Sequence, residues 1–311
     1  MAVTNTNTFT VTRNDIINSA LRILGVVGIG ETPQTEDYVN CSQALNIMIK
    51  AWAKKGWPLF TVKDLAISLV SGVRSYPIGP TAAYVYSIVA SGGSGYVAGG
   101  TWTAVGGTLG TVSSGTYTVV AGVVLAMTVV VPGDSYTSVP TSYTLSGAGT
   151  GATFVTTLVG LTTNKPTRAL TAYVRDVTNI DSILLPVSKE EYDLQAIKNI
   201  LGIPNQFYYD NQLANGILNV IPVPVIGTST LYLAIQRMFS DMTVGTDNFD
   251  FPQEWFQPLK WGLAAELAVE YGIDIQMVPY YDQKATFYLE ESFDYSVEDS
   301  SVYFSMDKNG Y

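Results

Sequence analysis

Residues 35–57 read TEDYVNCSQALNIMIKAWAKKGW. Their apolar members Tyr38, Cys41, Leu45, Met48 and Trp52 alternate steps of three and four, which puts them on one face of a helix. Thr35 offers a hydroxyl for the N-cap. Glu36 and Asp37 lie where the helix dipole favours negative charge, and Lys54 and Lys55 lie at the other end, before Gly56. A wide apolar stripe needs partners. The nearest is residues 14–24, where Ile16, Ile17, Ala20, Leu21 and Leu24 form a second stripe behind a Thr12/Asp15 capping box. Residues 25–34, GVVGIGETPQ, are long enough for an antiparallel return between the two.

The last third of the chain is helical again. From Pro252, a residue suited to a first helical turn, Trp255, Leu259, Leu263, Leu267 and Tyr271 recur every fourth position up to Gly272. Pro258 interrupts this run, so it must kink the helix or displace its start by a turn. Pro279 opens a fourth helix, with Tyr281, Ala285, Tyr288, Leu289, Ser292 and Tyr295 on one side. Residues 298–311 follow no period. Their apolar cluster, Val302, Tyr303 and Phe304, together with Tyr311, reads as a tail that docks on a partner.

Between the helical ends the chain reads as strands. Leu65, Ile67 and Leu69 alternate with Ala66 and Ser68, Ser71-Gly72 reads as a turn, and residues 73–78 read as the returning strand. Residues 168–174, 182–187, 207–209, 216–222 and 229–236 complete an antiparallel sheet of about six strands. Ser188 and Glu191 cap a short helix, SKEEYDLQAIKN. Residues 81–164 differ in texture. They hold no Lys, Arg or Glu, and Asp134 is their single acid. Short Val/Thr/Tyr runs separated by Gly-rich turns predict an inserted all-β, sandwich-like domain. A repeat of about 40 residues runs through it, with Tyr96 matching Tyr136. The expected fold class is therefore α+β: about four helices packed with an antiparallel sheet (1–80 and 165–297), an inserted β domain (81–164) and a docking tail (298–311).

Composition limits the chemistry. The chain has no histidine, which excludes Ser-His-Asp and Cys-His nucleophiles and the common zinc and non-haem iron sites. Carboxylate pairs remain open to it. Glu190-Glu191 and Glu290-Glu291 are adjacent in sequence, however, and helical neighbours point about 100° apart. No Gly-rich phosphate loop is present. No enzyme activity, metal or cofactor is expected. The net charge of −10 disfavours adhesion to nucleic acid or to an anionic membrane. Cys41, the single cysteine, sits on the apolar stripe as a core residue. No apolar run reaches the roughly 18 residues of a membrane span, and the N-terminus lacks signal-peptide character.

Several stretches together resemble the head-to-tail adaptors of tailed bacteriophages, the tail tubular protein A and tail accessory factor family. They are DIINSALRILGVVGIGETPQTEDYVNCSQALNIMIKAWAKKGW (15–57), SGVRSYPIG (71–79), KPTRALTAYVRD (165–176), LPVSKEEYD (185–193), IPNQFYYD (203–210), LNVIPVP (218–224) and FPQEWFQPLKWGLAAELAVEYGI (251–273). Residues 81–164 interrupt the place where the family passes directly between strands, and Pro258 stands where it usually has a better helix former. The resemblance implies a ring, commonly of about twelve copies, assembled beneath the portal at the head–tail junction of the virion. Such a protein is made in the host cytoplasm. It binds portal protein on one side and tail (nozzle or tail-tube) proteins on the other, and genomic DNA passes through its channel without sequence-specific binding. An acidic lumen suits that passage. A second reading makes residues 81–164 a host-surface or carbohydrate-binding module, with Tyr96, Trp102, Tyr117, Tyr136 and Tyr143 as stacking faces; the favoured alternative is that these aromatics are the module's own small core. A two-carboxylate wall hydrolase is the third, and no spacing supports it.

Overall fold

In a computed structural model that describes residues 10–52, 61–225, 227 and 229–295, the chain starts with α1 (Arg13–Ile23), α2 (Thr35–Trp52), β1 (Val62–Ser68) and β2 (Ser75–Gly79). The inserted segment supplies β3 (Tyr84–Ser94), β4 (Gly100–Val105), β5 (Ser114–Val120), β6 (Val123–Val131), β7 (Ser142–Leu145), β8 (Thr150–Val159) and β9 (Leu161–Thr162). Next come β10 (Arg168–Arg175), β11 (Asp181–Pro186), α3 (Lys189–Leu194), β12 (Leu201–Gly202) and β13 (Gln206–Asp210). β14 (Gly216–Ile221), β15 (Val223–Pro224), β16 (Thr230–Gln236), α4 (Phe256–Glu270) and α5 (Val278–Tyr295) complete it. The fold is mixed α and β. It divides into two compact units, residues 1–62 with 239–311, and residues 63–238. The sequence reading divided the chain differently, with helices and sheet in one core and the boundaries at 80/81 and 164/165. The structure groups the sheet with the inserted strands because β9 joins that sheet and Val159 and Leu161 pack in its core.

The helical unit follows the two N-terminal stripes closely. Thr12 caps α1 through the predicted box: its hydroxyl accepts the Asp15 N–H at 3.3 Å, and the Asp15 carboxylate accepts the Thr12 N–H at 3.0 Å. Thr12→Ala removes one arm and should cost about 1 kcal/mol, read as a shift in urea midpoint at unchanged slope. In α2, Thr35 does not cap; Gln34 does. Its carbonyl accepts the Tyr38 N–H, and its own N–H donates to Asp37 at 3.1 Å. Lys54, Lys55 and Gly56, expected to finish this helix, lie outside the described residues.

α4 sits at the centre of this unit, touching α1, α2 and α5. A 3₁₀ turn, Gln253–Trp255, precedes it, so Pro258 falls in the first turn of α4. There its missing N–H has no helical partner to lose, and the start is displaced rather than the helix kinked. Gly272, at φ +68°, ends the element with Ile273 N–H on the Ala268 carbonyl at 3.0 Å. Leu45, Leu259 and Leu263 are buried completely. Gly262 lets α2 approach: a Cβ there would stand 2.6 Å from the Trp52 ring and 2.8 Å from Met48 Sδ.

A loop closes over the start of α1. Asn46 and Met242 exchange hydrogen bonds at 3.1 Å, and the Arg13 guanidinium donates to the Thr243 carbonyl at 3.0 Å. The Asp247 carboxylate accepts N–H bonds from Val244 at 2.7 Å and Thr243 at 2.8 Å, which holds its pKa below the ordinary 3.8. A depressed carboxylate pKa stabilises the fold above that value and ceases to as pH falls through the folded pKa. Asp247→Asn should therefore be less stable than the parent at neutral pH and should flatten the loss of stability below about pH 4. Thermal unfolding of both proteins across acid pH checks this.

In the second unit eight strands run in the order β1-β16-β10-β11-β13-β14-β2-β9. β1 and β2 were expected to form a hairpin and do not pair, although only residues 69–74 separate them. That short link draws the two ends of the sheet together, so the sheet curls into a near-barrel around one core. Leu69, Tyr76, Leu218, Leu231 and Leu233 fill it. The Tyr76 hydroxyl secures the link, accepting the Val70 N–H at 2.9 Å and donating to the Val73 carbonyl at 3.1 Å. The sheet is mixed, not antiparallel: β11 pairs β13 in parallel across the α3 crossover, and β2 pairs β9 in parallel across the insertion.

The inserted segment forms a two-stranded sheet, β3-β8, and a four-stranded sheet, β6-β5-β4-β7, over one core. The weak repeat in the sequence is a structural duplication with exchanged strands. β3-β4-β5 repeats in order as β6-β7-β8, with β3 paired to β8 and β6 to β5, but the repeat is partial: β4 pairs β5 whereas β7 pairs β4. Matching bulges skip Tyr86 in β3 and Leu125 in β6. Tyr96 N–H donates to the Gly122 carbonyl just before β6, and Tyr136 N–H to the Ala83 carbonyl just before β3. Gly93 and Gly133 both take positive φ, as do Gly95 and Ser135.

Candidate assembly surfaces

Tyr96, Trp102 and Tyr136, candidates either for surface contact or for the core of the inserted domain, lie inside it. Trp102 is 1 % exposed, and its Nε1–H donates to the Thr116 and Thr128 carbonyls at 3.1 and 3.3 Å. The Tyr136 hydroxyl accepts the Ser113 N–H at 2.8 Å, and that of Tyr117 accepts the Gly147 N–H at 3.0 Å. Tyr96 packs edge-on to Tyr117 at 6.4 Å. A module of this size needs large side chains to fill its core, and these aromatics supply them. They present no stacking face for a sugar. Tyr143 is half-buried, with its hydroxyl on Thr156. Val302, Tyr303, Phe304 and Tyr311 lie outside the described residues.

The acidic pairs do not converge. The Glu191 carboxylate accepts the Ser188 N–H at 2.7 Å, which lowers its pKa, while Glu190, Glu290 and Glu291 are exposed. Cys41 is buried, and desolvation raises its pKa. Its thiol lies 3.6 Å from the Tyr271 hydroxyl, which itself donates to Asp37 at 2.8 Å. Among the described residues, no group of three or more Cys, Asp and Glu is placed to hold a metal, and no helix is long and apolar enough to cross a membrane.

Exposed apolar and aromatic side chains gather in three places. On α4 and α5, Trp261 stacks with Tyr288 at 6.2 Å, Tyr280 meets it edge-on at 6.3 Å, and Phe287 stays exposed. On the outer face of the curled sheet, register aligns Ile183, Tyr173 and Tyr232 in one row. The two tyrosines stack at 5.0 Å, and the Arg175 guanidinium lies over both while gripping Asp181 at 2.7 and 2.8 Å. The third place is the outside of the inserted module, where Tyr86, Val89, Leu125, Val130 and Val155 are exposed. The sequence reading missed the second row. Residues 168–174 were legible as a strand, but which residues of three strands fall into one row depends on register, which periodicity does not fix. No protein-family profile matches the chain, and no curated protein matches it either.

Proposed function

We propose that this protein is a structural head-to-tail adaptor of a tailed phage. It assembles as a ring, about twelve copies by the resemblance, between portal and tail proteins at the head–tail junction, and it conducts the genome without catalysis. The architecture that goes with this reading is a helical unit and a curled mixed sheet, with the inserted module carried between β2 and β9. One observation carries the proposal. The stretches that resemble the adaptor family fall, in the family's order, on regular elements outside the inserted segment: α1 and α2, β2, β10, the end of β11 with α3, β13, β14 with β15, and α4. The exposed aromatic and aliphatic patches agree with a life in contact with other proteins.

Mass photometry of the full chain, alone and mixed with rings of its cognate portal protein, tests the proposal. Addition of a fixed number of copies, near twelve, to each portal ring is the expected result. A chain that leaves portal rings unchanged at micromolar concentration refutes it. Truncation before Glu298 then asks whether residues 298–311 supply the docking, since portal binding should fall on their removal.

A further inference from the structure

We infer that the inserted module, residues 81–164, is where neighbouring copies of this chain meet, each module turning one of two like, charge-free sides to each neighbour. The head-to-tail sense of this contact rests on the adaptor reading; the contact itself rests on the module. Its partial duplication creates two sides of similar build, one on the β3-β8 pair and one on the β6-β5 pair of the four-stranded sheet. On β3 and β8 the outward residues include Tyr86, Val89 and Val155, which are 44, 63 and 69 % exposed, with Val89 directly opposite Val155. On β6 and β5 the corresponding bulge residue Leu125 and the nearby Val130 are 62 and 65 % exposed, and Thr128 lies opposite Thr116 in the place of the valine pair. Both sides consist of Thr, Ser, Val and other uncharged residues on paired strands.

Charge selects the occupant. Exposed strands normally carry Lys or other charges that prevent association, and these carry none. A polyanion such as nucleic acid or an anionic membrane would need Lys or Arg, which the module lacks. Copies of a chain with net charge −10 repel one another over most of their surface, and least where a neutral side faces a neutral side. Head-to-tail contact also requires two patches that fit each other, and the duplication supplies a matched pair. Area is sufficient: taken alone, a module of this size has roughly 4,500 Å² of surface, so one side is on the order of the 800 Å² per partner of a stable interface.

The test uses the full chain and two exposed-site variants, Val89→Lys with Val155→Lys, and Leu125→Glu with Val130→Glu. Sedimentation velocity and mass photometry at rising concentration, alone and on portal rings, give the assembly state. Circular dichroism and unfolding midpoints matching the parent show that both variants are folded. The parent should form concentration-dependent oligomers. Each variant alone should need at least about tenfold more protein to assemble, and an equimolar mixture should recover parental assembly, because Lys and Glu sides then face each other. Either variant assembling like the parent overturns the inference. So does loss in both without recovery on mixing, or a parent that stays monomeric in solution while both variants load portal rings like the parent. Assembly through these sides without portal binding leaves the inference standing and removes the adaptor reading. Loading of portal rings at an unchanged number by both variants does the reverse.

Discussion

Trp102→Ala should remove about 4 kcal/mol from the stability of the unit formed by residues 63–238, the middle of the range for a buried tryptophan. The indole is one of the largest side chains of its cluster and is enclosed on every side. It meets Tyr143 edge-on at 5.6 Å. Gly115 lies directly against it, since a Cβ there would sit 2.9 Å from the indole ring. That backbone is held in the β5–β6 ladder and cannot close the space left by a missing ring, so the cavity persists and its cost adds to the lost transfer energy. Two carbonyls also lose the Nε1–H donor. Because a whole domain is stable by about 5–15 kcal/mol, the variant should unfold at greatly reduced urea concentration, followed by circular dichroism. Trp102→Phe keeps most of the apolar volume and should cost less. A loss below about 1 kcal/mol for the alanine variant would show that the indole does not hold this core together.

Trp255→Ala should cost a similar 3–5 kcal/mol in the helical unit. Its ring lies 5.0 Å from Phe293 of α5, 5.7 Å from Phe251 and 6.4 Å from Trp52 of α2. One side chain therefore joins the turn before α4 to both flanking helices. The two tryptophans belong to separate clusters with no common partner. In the double variant each loss should appear in the transition of its own unit and match that of the single variant to within about 0.5 kcal/mol. A single transition carrying both losses would mean the units unfold as one.

The same two residues show where sequence reading succeeds and where it stops. Trp255 was legible because a helix places every fourth residue on one side, so the series Trp255, Leu259, Leu263, Leu267 names a buried face without knowledge of what covers it. Trp102 lay between Thr101 and Thr103 in a charge-free segment. Alternation there says that one side of a strand is covered, and either side of a two-sheet module can be the covered one. The sequence left Trp102 open between partner contact and core, and burial places it in the core. The short helix caps, Thr12 with Asp15 and Ser188 with Glu191, needed only contacts three residues apart, and both are present.

What the sequence by itself determined is therefore local: the caps, the apolar stripes of four helices, the existence of the strands, and the charge-free segment with its faint repeat. The tertiary structure alone decided who pairs with whom. It separated β1 from β2, ran β11 beside β13 in parallel, and exchanged β5 and β8 between the halves of the duplicated module. The physical reason is range. A helix closes its hydrogen bonds within four residues, so its pattern is written in neighbouring side chains. A strand closes its bonds with a chain segment at any separation, and nothing in its own alternation names that segment.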